Sequence, residues 1–454
     1  GNQGPANTTP IATAYAGHQF GGWNPQLGDG RAVLLGEVIG RDGNRYDIQL
    51  KGAGRTAYSR GGDGRSPLGP VLREYIVSEA MAALGVPTTR SLAAVASGDK
   101  VFRDSVLPGG VLTRVASSHI RIGTFQFFAG REDIEAVRAL ADHVIARHFP
   151  FIENGPDAVP ATNPYFALLE NVIARQAHLI ALWQSIGFIH GVMNTDNMLL
   201  SGETIDYGPC AFMDNFNPAT VYSSIDARGR YAYQNQPAIA QWNVSWLAQS
   251  LLPLFITDDT PEAQAAGVEM ARAALSRFGE LYQTAYYGIM LRKLGLTANI
   301  PENLALVNSL LELMTEHGAD YTLTFRRLAE LVNPAQQTEA SVVDIFELPE
   351  GFQPWLAQWQ AQLASEHSTF EHSTSEQANP AARQQTMFAL SPVFIPRNHL
   401  IAEAIQAAET ANDFQPFQQL VDILANPYRY DPQLARYATP PRPDQVVAKT
   451  FCGT

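Results

Sequence analysis

Cysteine is almost missing from this chain of 454 residues: Cys210 and Cys452 are the only two. Two thiols exclude a disulfide scaffold and a cysteine-ligated zinc cluster. A reducing compartment is the expected setting. Positive charge is scarce too. Lys and Arg number 31 against 44 Asp and Glu, giving a net charge of −13. That balance argues against a nucleic-acid partner, which needs a basic face, but leaves room for a local basic site for phosphates. Long apolar runs are also lacking. The longest candidate, 246–256, is interrupted by Gln249, Ser250 and Pro253. It falls short of the roughly 20 residues that cross a bilayer, so no membrane partner is expected. Charged residues make up only 17% of the chain while hydrophobic ones reach 46%, a balance that folds.

Length corresponds to two or three domain-sized units, or to two lobes with an extension. The chain starts at Gly1, which reads as a processed or trimmed product. Residues 1–27 are rich in Gly, Pro and Asn and read as a segment wrapped over another surface. Strands are expected at 31–38 and 46–51, joined by Arg41-Asp42-Gly43-Asn44, whose Asp-Gly pair supplies positive-φ turn positions. Residues 52–67 read as a loop, 71–84 as a helix ended by Gly85, and 91–96 and 110–115 as further strands. From about 134 the pattern turns helical. Pro164 after Asn163 and Pro261 after Thr260 mark helix starts. Further helices are expected near 303–316, 321–332 and 399–409, and the polar, EHST-repeating stretch 365–382 reads as a solvated loop. The expected fold class is α+β: a small β-rich lobe, a larger helical lobe and a helical extension, with a cleft between the lobes.

Chemistry concentrates at a few points. Gly28-Asp29-Gly30-Arg31 lets backbone N–H groups approach phosphates, although an ordinary tight turn reads the same way. No Walker A lysine follows, which excludes a P-loop. Lys51 ends the second strand and would need a carboxylate to orient it; Glu74 is preferred over Glu79, since only one of the two faces the cleft. Segment 190–208, HGVMNTDNMLLSGETIDYG, resembles a kinase catalytic loop followed by its metal loop. Asn197 and Asp206 are hard oxygen ligands suited to Mg²⁺, with Mn²⁺ as an alternative. Val192 stands where the catalytic aspartate belongs and cannot take a proton. Asp196 reads either as a displaced general base or as a solvent-facing loop residue. Arg114, Arg121 and Asp63-Gly64-Arg65 add phosphate-matched charge, or are plain surface groups.

Six stretches together resemble the selenoprotein O family: GHQFGGWNPQLGDGRAVLLGE (17–37), LKGAGRTAYSRGGDGRS (50–66), REYIVSEAMAALGVPTTR (73–90), HGVMNTDNM (190–198), IDYGPCAFMD (205–214) and FIPRNH (394–399). The resemblance implies a kinase-like two-lobe fold, with lobes at 28–120 and 121–335 and a helical extension at 336–454. It implies a protein adenylyltransferase that binds ATP flipped and moves AMP to Ser, Thr or Tyr hydroxyls, releasing pyrophosphate. By motif, Gly28, Gly30, Arg31, Lys51, Asp63, Gly64, Arg114 and Arg121 would contact ATP, Asp196 would accept the proton, and Asn197 and Asp206 would hold Mg²⁺. Asp206 would also meet ATP. Ala57 departs from the family's proline at that position. Cys452 lies where some relatives carry selenocysteine, so a redox bridge between Cys210 and Cys452 is implied. The expected protein is a monomer of the bacterial cytoplasm, or mitochondrial if eukaryotic. Two other readings compete: γ-phosphoryl transfer with Asp196 as a relocated base, and a non-catalytic ATP-binding scaffold.

Overall fold

The computed structural model describes residues 8–154, 163–256, 258, 260–333, 341–370 and 379–451. The fold is α+β. A short hairpin, β1 (Gly17–Gln19) and β2 (Gly22–Asn24), precedes an antiparallel sheet of β3 (Ala32–Ile39), β4 (Arg45–Lys51), β5 (Ser66–Pro67), β6 (Arg90–Phe102) and β7 (Val106–Ala116). The order is β3-β4-β7-β5, with β6 also paired to β7. The turn at 40–44 joins β3 to β4 as expected, but of the Asp-Gly pair only Gly43 takes positive φ, at 80°; Lys51 pairs opposite Ala32 and Leu112 at the strand's end. The long β6–β7 hairpin exceeds the two short expected strands because register shifts between Ser91 and Ala93 and between Ala96 and Lys100 break its alternation. Helix α1 (Leu68–Ala83) lies against β6 and β7.

Helices then dominate: α2 (Ile122–Ala129), α3 (Ile134–His148), α4 (Phe151–Asn154) and α5 (Pro164–Ser185). The Asn163 side chain accepts from Tyr165 and Phe166 backbone N–H groups and so caps α5. The two-residue strands β8 (Phe188–Ile189) and β9 (Ala211–Phe212) pair beyond it. They are followed by α6 (Gln236–Phe255), α7 (Pro261–Lys293), α8 (Pro301–His317) and α9 (Tyr321–Leu331). Thr260 caps α7 through the Ala263 N–H. Leu168, Val172, Ile180 and Trp183 of α5 meet Val244 and Leu251 of α6 and Phe278 of α7 in the main core. Each such side chain contributes roughly 1.5–3 kcal/mol on burial. No helix among the described residues is long and apolar enough to cross a membrane.

The chain closes with α10 (Gln353–Phe370), α11 (Pro380–Leu390), α12 (Asn398–Ala411), α13 (Gln415–Leu424) and α14 (Ala435–Ala438). This corrects the loop expected at 365–382, whose described ends are helical. Polarity misled there because Glu366 is polar yet buried: its carboxylate accepts from the Thr297 N–H at 3.1 Å, the Ala298 N–H at 3.2 Å and Asn303 Nδ2 at 2.7 Å. Helices α12 and α13 pack on α1, so the C-terminal segment supports the sheet region as well as the helical one.

Candidate active site

Strand β4 and helix α1 bring Lys51 and Glu74 together. Lys51 Nζ donates to Glu74 Oε2 at 2.5 Å and to Asp206 Oδ1 at 2.9 Å. Glu79 faces elsewhere and binds Arg90 at 2.6 Å near the surface. Arg114 sits opposite Gln49 in the β4–β7 ladder. It donates to Glu74 Oε1 through Nε at 2.8 Å and through Nη2 at 2.5 Å, and to Gln49 Oε1 at 3.0 Å. Gln49 Nε2 continues to Asp29 Oδ2 at 3.3 Å, and Arg121 reaches Asp29 Oδ1 at 3.2 Å. Arg121 Nη1 also donates to the Asp196 backbone carbonyl at 3.0 Å. One polar chain therefore runs from Asp206 through Lys51, Glu74, Arg114, Gln49, Asp29 and Arg121 to the Asp196 backbone.

Asp196 and Asn197 lie on a single 3₁₀ turn, Thr195–Asn197. His190 anchors the loop before them. It is fully buried, stacks on Trp183, and its Nε2 lies 2.8 Å from the Ile205 carbonyl. Its Nδ1 accepts from the Val192 N–H, so Nε2 carries the proton. Asp206 adopts φ of 66°, a left-handed conformation uncommon outside Gly and costing of order 1 kcal/mol or more. Asn197 Nδ2 lies 3.4 Å from Asp206 Oδ2 and 3.0 Å from the Val192 carbonyl.

Electrostatics separate the carboxylates. Burial opposes charge on Asp206, but Lys51, Arg31 and Arg114 outweigh it and hold the group far below the usual carboxylate range. Glu74 behaves alike: burial raises it, while Arg114 and Lys51 more than compensate and keep it low. Asp196 goes the other way. Burial pushes it up to about 6, with Arg121 and Gln19 opposing. Its Oδ1 is enclosed without a hydrogen-bond partner.

A cavity of about 540 Å³ opens over these groups. Gly28, Gly30, Arg31, Lys51, Asp63, Gly64, Arg114, Arg121, Asp196, Asn197 and Asp206 all line it, and Glu74 lies beneath Lys51. Seven Lys or Arg side chains against four Asp line the wall, a local positive surplus in a chain of net charge −13. Such a wall suits an anionic ligand. Some residues hold their places for reasons of their own. A Cβ on Gly28 would sit 2.3 Å from the Tyr58 ring, and one on Gly64 would sit 2.1 Å from the Gly54 carbonyl oxygen, so both glycines let loop 52–65 close down. Asp63 is forked by Arg103 at 3.0 and 3.1 Å, which holds its carboxyl low, near about 2. Ala57 is exposed in the same loop.

Three participants escape sequence reasoning. Asp29 lies between the two glycines of the turn, and Gln49 shares a strand face with Lys51, a period-two signal. Gln19 lies in the quoted stretch 17–37, but nothing local ties it to Asp196: its Nε2 donates to Asp196 Oδ2 at 3.1 Å. Cys210 is buried, and Cys452 lies outside the described residues. The tail leading to Cys452 is pinned close by, since Thr450 Oγ1 donates to the Pro209 carbonyl at 2.5 Å.

The family described as protein adenylyltransferase SelO matches residues 2–425. The chain belongs to the SelO family. A protein nucleotidyltransferase YdiU of Rhodopseudomonas palustris is 56% identical over 451 residues, covering 99% of this chain and 87% of that relative. Its counterpart in Rhizobium etli is 54% identical over 454 residues, covering 100% and 86%. That of Methylorubrum populi is 55% identical over 450 residues, covering 98% and 86%. This SelO-family chain thus sits among bacterial enzymes named for nucleotidyl transfer to protein.

Proposed function

We propose that this chain transfers AMP from ATP to Ser, Thr or Tyr hydroxyls of proteins, on a kinase-like two-lobe scaffold that holds ATP flipped. The observation that carries the reading is the cavity wall: a positive surplus around Asp196, with inert Val192 at the position of a kinase base. In this reading Lys51, Arg114 and Arg121 bind the phosphates, and Asp196 takes the proton of the acceptor hydroxyl. The hydroxyl oxygen forms a bond to the α-phosphorus, and the bond to the pyrophosphate oxygen breaks. A base raised to about 6 by burial is matched to work near neutral pH.

Asn197 and Asp206 fit Mg²⁺ or Mn²⁺ as its two protein ligands. No group of three or more His, Cys, Asp or Glu side chains suited to a metal occurs among the described residues. Magnesium is commonly held by one or two side chains with phosphate oxygens and water completing the shell. Bound there, the ion would neutralise phosphate charge. The decisive experiment supplies ATP labelled on the α- or the γ-phosphate to the protein with Mg²⁺, a reductant and a cell extract. Label entering protein from the α-position alone is the expected result; entry from the γ-position alone would make this a kinase and end the flipped-nucleotide reading. The pinning of Thr450 beside Pro209 supports a redox bridge between Cys210 and Cys452, which non-reducing peptide mapping checks.

A further inference from the structure

The N-terminal strap reads the loop that carries Asp196 residue by residue. The His18 N–H donates to Thr195 Oγ1 at 2.8 Å, Gln19 Nε2 to Asp196 Oδ2 at 3.1 Å, and the Phe20 N–H to Asn194 Oδ1 at 3.1 Å. Tyr231 OH closes the set on Asn194 Oδ1 at 2.6 Å. Two glycines make the approach close enough. A Cβ on Gly17 would lie 3.0 Å from Asp196 Oδ1, and one on Gly123 would lie 2.3 Å from the Ala16 carbonyl oxygen. Strand β1 is gripped on its opposite face as well. There the His18 ring stacks on Trp246 with centroids 3.8 Å apart and takes a 2.9 Å hydrogen bond from Gln126. Side chains alternate along a strand, so clamping His18 on one face fixes Gln19 on the other.

Arg121 holds only the Asp196 backbone. It makes no hydrogen bond to the carboxylate itself. We propose that Gln19 is the positioning residue for Asp196, and that the N-terminal strap is thereby a working part of the catalytic centre. The inference rests on the reading of Asp196 as proton acceptor. A single amide N–H on Oδ2 occupies one lone pair and leaves another for the incoming hydroxyl. It also stops the carboxylate from turning away, and misplacement by about 1 Å is enough to cost on the order of a hundredfold in rate.

The test uses Gln19→Met, which keeps side-chain length and removes the donor, beside Gln19→Glu and Asp196→Ala. AMP transfer from α-labelled ATP is measured as kcat and KM, together with ATP binding and the unfolding midpoint. Gln19→Met is expected to lower kcat by about ten- to a hundredfold, with KM for ATP and the midpoint unchanged. Gln19→Glu, which sets two carboxylates together, is expected to lower kcat further. Unchanged kcat in Gln19→Met with an inactive Asp196→Ala overturns the positioning role and leaves the base intact. A parallel fall in midpoint and ATP binding overturns it in favour of a merely structural strap. Full transfer by Asp196→Ala overturns the base, and Gln19's role with it.

Discussion

Two buried arginine clusters in this molecule use the same chemistry to opposite ends. Around the cavity, Arg114 and Lys51 share Glu74, and the neighbouring cations outnumber the carboxylates. Beneath the C-terminal helices, Arg397 is fully buried, and its Nη1 meets Asp214 at 2.5 Å and Asp320 at 2.8 Å. Its Nε donates to the Ala438 carbonyl at 3.0 Å. There the carboxylates outnumber the cation. The first cluster lines an open cavity; the second spends its charge inside the protein. Arg397 and its neighbour Asn398 also explain the FIPRNH stretch. Asn398 Oδ1 accepts from Arg73, which donates to the Cys210 carbonyl, so the C-terminal helices hold α1 and the segment after Asp206 in place.

The sharpest break of this comparison is Asp206→Ala. It should abolish metal-dependent transfer, a loss well beyond the roughly 10–100-fold typical of a group that only supports a metal ligand. The fold should survive, because Lys51 keeps Glu74 as its partner. Labelled-ATP transfer and circular dichroism on the same sample check both halves. Retained transfer would remove Asp206 from the metal site.

Arg397→Met should do the reverse. Stranding Asp214 and Asp320 without their cation should cost about 3–5 kcal/mol of stability. Transfer per folded molecule should hold. Urea unfolding reads the first quantity, and activity corrected for folded fraction reads the second. A large activity loss with unchanged stability would mean the lock belongs to the site.

Buried Lys293 offers a gentler test, since burial pushes it down to about 7. The unfolded chain then binds a proton below its ordinary lysine value that the folded chain refuses. Stability from this group is present above about 10.4 and is lost as pH falls towards about 7, at no more than about 1.4 kcal/mol per pH unit. The Phe325 ring at 4.1 Å and the Ser185 carbonyl favour the charged form and temper the slope. Lys293→Met should flatten it. An identical slope in both proteins would show that Lys293 stays charged when folded.

Much of this is legible in the sequence. The β3–β4 hairpin followed from its Asp-Gly turn, and the Lys51–Glu74 pair from a strand end facing a helix. Asn197 and Asp206 followed from their spacing. These are local patterns, or patterns whose partners share a motif. The polar chain through Gln49 and Asp29 was half legible: Asp29 sits in the Gly28–Arg31 turn, and Gln49 lies two positions before Lys51 on the same strand face. Gln19 on Asp196 and Arg397 on Asp214 were not. Each joins residues more than 170 positions apart, and neither helical nor strand periodicity carries that information. Glu366 failed for a different reason: composition marks a carboxylate as solvated, and the donors of Thr297, Ala298 and Asn303 make its burial tolerable.

The smallest expected effect separates two glutamates of one helix. Glu79 holds Arg90 at 2.6 Å, but the Arg90 side chain is 56% exposed. Water competes for that pair, and exposed ion pairs contribute about 0–1 kcal/mol. Glu79→Gln should therefore shift stability by less than about 1 kcal/mol and leave transfer unchanged. Glu74→Gln strips a full charge from between Lys51 and Arg114 at a buried position beneath the cavity, so it should lower transfer clearly. Five positions along α1 thus divide a working carboxylate from a surface one. Equal effects of the two substitutions on transfer would refute the assignment of Glu74 as the residue that orients Lys51.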